Sequence, residues 1–167
     1  MIRTTFRLLS PVLFLAAVFI PVLARAQDDS AAAEPQLAIE AVIVEPEKPG
    51  ADTLCRLRIR ILNRGERIAS QLGFTVTING TDIPVYSNQL FMFPLDPGTT
   101  SELALFNFWT TETSRPMPAD GKLRIEVALR EAQWTKIEMV EEVETWTPLG
   151  PVTGLPVSAA VTLSMTR

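Results

Sequence analysis

The chain has 167 residues and no histidine, with 15 Lys+Arg against 19 Asp+Glu for a net charge of −4. The missing imidazole removes Ser-His-Asp and Cys-His catalysis and the commonest zinc ligand, and the acidic balance argues against nucleic acid and anionic membranes as partners. A single cysteine excludes an internal disulfide, so the fold must stand on its apolar core.

Residues 1–26 read as an export signal. Arg3 and Arg7 form a positive n-region, Leu8 to Leu23 is apolar apart from Ser10, Pro11 and Pro21, and Ala24-Arg25-Ala26 puts small residues at −3 and −1. That pattern places cleavage after Ala26. The apolar run, broken by two prolines, falls short of the roughly 20 residues that span a bilayer, so no stable membrane insertion is expected after cleavage. Cleavage leaves 141 residues, one domain's worth, and removes three arginines and no acid, which moves the net charge to −7. The expected location is the periplasm or the cell exterior.

Gln27 to Gln36 is small and polar without apolar periodicity, as expected of a flexible tether, and the domain follows over 37–167. Leu37 to Val44 is apolar at nearly every position and predicts a strand covered on more than one side. Thr53 to Leu62 is the most sharply patterned stretch. Cys55, Leu57, Ile59 and Ile61 alternate with Arg56, Arg58 and Arg60, giving one apolar face and one arginine face. Asn63-Arg64-Gly65 ends it.

Phe74 to Ile78 predicts a strand with Phe74, Val76 and Ile78 inward, and Asn79-Gly80 signals a type I′ hairpin. The return strand, Thr81 to Tyr86, contains Pro84, which confines it to a sheet edge. Ser87 to Leu95 reads as a short strand or a loop pinned by Phe91 and Phe93. After the Asp96-Pro97-Gly98 turn, Ser101 to Thr110 predicts a strand with Phe106 and Phe108 on one face and Leu103, Leu105 and Trp109 on the other.

Thr111 to Gly121 is a loop carrying Pro116 and Pro118. Lys122 to Arg130 alternates cleanly, with Leu123, Ile125, Val127 and Leu129 inward. Glu131 to Trp146 fits two periods. Trp134, Ile137, Val140 and Val143 suit a short helix, whereas Ile137, Met139 and Val143 suit a strand, and the surrounding strands favour the second. Pro148 to Pro156 reads as a loop, and Val157 to Met165 as the last strand. Seven to eight short strands with proline and glycine turns describe an all-β, immunoglobulin-like sandwich of antiparallel strands.

The order Pro46-Glu47-Lys48-Pro49-Gly50, alternating strand, Asn63-Arg64-Gly65 and Ala69, hairpin, Leu95-Asp96-Pro97-Gly98, and strand ending in Phe108-Trp109 resembles CARDB-type domains. These are cell-adhesion-related bacterial and archaeal modules with a fibronectin-III-like sandwich. The resemblance covers Leu37 to Thr110 and implies that fold and an extracytoplasmic binding or spacer role. Family members often carry an acidic, asparagine-rich stretch near the penultimate strand. Glu131 to Glu144 contains neither Asn nor Asp, so metal binding by that pattern is not carried over.

No catalytic constellation stands out, and no cofactor is expected. Cys55 lies on the apolar face as a buried thiol, and Lys48, Lys122 and Lys136 sit in no Ser-x-x-Lys context. Glu138, Glu141, Glu142 and Glu144 read as a solvated face rather than a calcium site. Trp134 and Trp146 offer either a sugar-stacking platform or, preferably, packing. Arg56, Arg58 and Arg60 form the candidate binding face for an acidic protein or a surface polymer. Their plainer role is to pair with Glu40, Glu126 or similar neighbours. The preferred function is a non-enzymatic interaction module. The alternatives are an envelope assembly component that pairs through a strand edge and a carboxylate-based hydrolase.

Overall fold

The computed structural model describes residues 35–83, 89–113 and 119–166. The expected export signal with Ala26, most of the expected tether, Pro84 and the prolines of the 114–118 loop lie outside them. The strands are β1 (Leu37–Glu45), β2 (Leu54–Asn63), β3 (Ile68–Ile78), β4 (Thr81–Asp82), β5 (Leu90–Phe91), β6 (Thr100–Trp109), β7 (Lys122–Val140), β8 (Val143–Pro151) and β9 (Val157–Ser164), with one helical turn at Thr110–Thr113.

Two antiparallel sheets face each other. One is ordered β1-β2-β6; the other is β4-β3-β7-β8, with β5 added to β3 and β9 to β7. This is the expected immunoglobulin-like sandwich, and β2 is the middle strand of its sheet. Side-chain alternation drives the layering. Cys55, Leu57, Ile59 and Ile61 of β2 are fully buried, and so are Phe74 and Ile78 of β3 and Leu123, Ile125, Val127 and Leu129 of β7. Each large side chain so buried contributes about 1.5–3 kcal/mol.

The turns that link the sheets converge on one residue. Asn63, fully buried, donates from Nδ2 to the Arg67 and Leu95 carbonyls at 2.8 Å each, and its Oδ1 accepts the Gly65 N–H at 2.9 Å. Its main chain holds the second turn, with Asn63 N–H on the Thr99 carbonyl (3.0 Å) and Gly98 N–H on the Asn63 carbonyl (2.8 Å). Gly65 is required by contact, since a Cβ there would lie 2.7 Å from the Trp134 ring. The Asn-x-Gly and Leu-x-Pro-Gly signals are therefore two halves of one clip.

Four elements differ from the sequence expectation. β1 buries one face only, with Glu40 and Glu45 exposed on the other, as befits an edge strand. β3 begins at Ile68 because a bulge at Gln71, with φ of 53°, absorbs the residues that broke its alternation. In β6 the register shifts at Leu105, so Leu103, Leu105 and Phe108 are buried while Trp109 points out. The expected pairing of Trp109 with the leucines fails there because a bulge inverts the parity beyond it.

The fourth difference is the largest. β7 does not stop at Arg130; it runs 19 residues to Val140 and turns at Glu141-Glu142 into β8. Glu131 to Trp146 is thus strand, as alternation favoured, and not helix. Pro148 to Pro151 belongs to β8, so the loop expected over Pro148 to Pro156 shrinks to the residues before β9. Asn79-Gly80 takes the type I′ turn, with φ of 51° and 78°. β4 lies at the sheet edge, as expected, but it ends at Asp82, so the strand expected over Thr81 to Tyr86 is not continued at Ile83, and its residues 84–86 lie outside the described ones.

Candidate interaction face

The outer face of β1-β2-β6 is laid out by register. Rows across it read Glu45–Arg56–Asn107, Ile43–Arg58–Ala104 and Ala41–Arg60–Glu102, with Leu54 opposite Trp109 at one end. The three arginines share this face because they alternate with the buried residues of β2. Alternate residues on one strand stand about 6.6–6.8 Å apart.

The three are not equivalent. Arg58, half-buried, bridges Glu45 through Nη2 and Glu102 through Nη1, while its buried Nε has no partner. Its expected partners differ from these. Glu40 instead accepts a long hydrogen bond from Thr100 Oγ1 (3.4 Å), and Glu126 sits on β7 in the other sheet. Arg56 and Arg60 are exposed and make no ion pair among the described residues. Arg58 is therefore a tie across three strands whose charge is taken up by two carboxylates, and the two arginines without an ion pair among the described residues stand on either side of it, Arg56 opposite Glu45 and Arg60 opposite Glu102.

The face also carries apolar surface. Leu54 is 48% exposed and Trp109 42%. Shallow hollows flank Arg56, one of about 360 Å³ against Glu45, Pro46, Leu54 and Asn107, the other of about 310 Å³ against Arg58, Ala104 and Phe106. Leu54 follows from the same alternation that exposes the arginines, since it stands two residues before Arg56 on the same face. The exposure of Trp109 was hidden by the bulge in β6.

The other candidate residues do not assemble into a site. Trp134 is buried on the even-numbered side of β7, while Trp146 pairs with Ile137 on the odd-numbered side, so the two indoles point to opposite faces and build no shared platform. A hollow of about 480 Å³ beside Trp134 is lined by Arg64, Arg67 and Glu66 among others. The indole under it is covered by Gly65.

Glu138 pairs with Lys136 Nζ (2.6 Å), Glu144 accepts the Trp146 Nε1–H, and Glu141 and Glu142 form the β7–β8 turn. Among the described residues no three acidic or thiol groups converge to hold a metal ion. Cys55 is enclosed in the core, and burial pushes its thiol pKa up, away from the reactive thiolate.

Compared with known proteins, the chain matches no family model and no curated protein significantly. The functional reading therefore rests on the face itself.

Proposed function

We propose that this chain is an exported, non-enzymatic interaction module of CARDB-like type, which docks an acidic protein or surface polymer on the outer face of β1-β2-β6. The observation that carries the reading is the pair of exposed arginines, Arg56 and Arg60, on either side of the anchored Arg58. A guanidinium on a strand with no ion-pair partner among the described residues can donate a two-pronged contact to a carboxylate or sulfate. Leu54 and Trp109 add apolar contact at the Arg56 end, which suits a protein partner somewhat better than a polymer.

The test leaves Arg58 in place, because it ties Glu45 and Glu102 together. Arg56→Gln/Arg60→Gln should keep the parental melting temperature, since exposed unpaired charges contribute little to stability. The immobilised variant should lose the envelope components that the parent retains at low salt. Unchanged retention by the variant would place the binding surface elsewhere.

A further inference from the structure

The end of the β7–β8 hairpin stands apart from the sandwich. The last β3–β7 pair is Ile68–Thr135, whereas β7 and β8 stay paired as far as Val140–Val143. From Lys136 onward the ribbon has two strands, and neither edge is paired among the described residues. A two-stranded hairpin is marginal in water unless something covers it.

Its surface is apolar and acidic together. Met139 is 67% exposed, Val140 51% and Val143 64%. Four glutamates, Glu138, Glu141, Glu142 and Glu144, stand there against the single Lys136. Such a surface fits a partner that is apolar and basic. Two ribbons laid against each other would crowd both sets of glutamates, which like-charge repulsion opposes.

The chain carries the matching surface itself. On the outer face of β1-β2-β6, exposed Leu54 and Trp109 lie next to Arg56, with Arg60 further along the strand, and the glutamates of its three rows, Glu45 and Glu102, are bridged by Arg58, which leaves three arginines there against two acids. Arg56 and Arg60 are four residues apart, about 13 Å on a strand, and the acids of the tip that would face them are the turn residues Glu141 and Glu142, since Glu138 is paired with Lys136 and Glu144 with the Trp146 indole. We propose that the tip of the β7–β8 ribbon docks on the arginine face of a second copy of this chain. The proposal rests on reading that face as the docking surface and names its occupant.

Tip and face are different patches, so the contact is head-to-tail: each copy offers one and uses the other. The patches are small, and the association is correspondingly weak and salt-sensitive.

The test is sedimentation velocity of the purified exported chain over a concentration series at low and high salt, using two charge reversals. Glu141→Lys/Glu142→Lys reverses the tip, and Arg56→Glu/Arg60→Glu reverses the face. The parent should associate with rising concentration, and less so at high salt. Each reversed variant alone should lose association at least tenfold. An equimolar mixture should recover it, because each reversed surface then meets its opposite.

Neutral versions, Glu141→Gln/Glu142→Gln and Arg56→Gln/Arg60→Gln, should weaken association several-fold and serve if a reversal unfolds the domain. A parent that stays monomeric throughout, or folded reversals whose mixture stays monomeric, would overturn the proposal. Loss of envelope capture by Arg56→Gln/Arg60→Gln alongside a monomeric parent would sink this inference and spare the docking face. Unchanged capture would sink that face.

Discussion

Asn63 concentrates more of the fold's polar bonding than any neighbour in its turn. Its amide satisfies two carbonyls and one N–H from inside the core. Asn63→Ala leaves those groups buried without partners, at a cost of about 2–4 kcal/mol, which urea unfolding will read as a lower midpoint. At the opposite extreme lies the surface residue Asp120, where the hydrogen bond from the Arg124 side chain and then the Lys122 N–H hold the carboxyl below its ordinary 3.8. A lowered carboxyl favours the folded state in its charged form. Its contribution is therefore present above about that pH and fades as acid carries the pH through the lowered value. Asp120→Asn should melt slightly below the parent at neutral pH, and the gap should close as the pH falls below 3.8.

At the scale of elements, legibility followed regularity. β2 and the first half of β7 were plain because their alternation is unbroken and one face is fully buried. β3, β6 and the far half of β7 were harder, and the reason is the same in each. A bulge adds a residue and inverts parity, so Gln71, Leu105 and Arg130 each break the period that a strand is recognised by. The β7–β8 ribbon was ambiguous for a further reason. Its residues are exposed on both faces, so burial imposes no alternation on them, and its turn lacks the Asn-Gly signature. Glu141 and Glu142 take φ of 52° and 67°, a conformation that side chains with a Cβ adopt at some cost. Glu141→Asn/Glu142→Gly supplies residues suited to a type I′ turn and should stabilise the domain by about 1 kcal/mol. Calorimetry should find a raised melting temperature; an unchanged or lowered one would mean that the turn is not type I′ in solution.

For the whole molecule, the sandwich was legible and the proposed interaction face only partly so. The arginine row could be read from period alone. What could not be read was that Arg58 is taken up by Glu45 and Glu102, since neither lies near it in sequence and only the order β1-β2-β6 brings them to its sides. The proposed interaction role rests on Arg56 and Arg60, which make no ion pair among the described residues, with the exposed surface of Leu54 and Trp109 beside them. The most direct measurement is to place a photo-reactive residue at Ala104, exposed in the middle of that face, and irradiate intact cells that make the chain. A discrete adduct that disappears with Arg56→Gln/Arg60→Gln is the result expected. The absence of any adduct, or one indifferent to those arginines, would contradict the claim that this face is where the protein works.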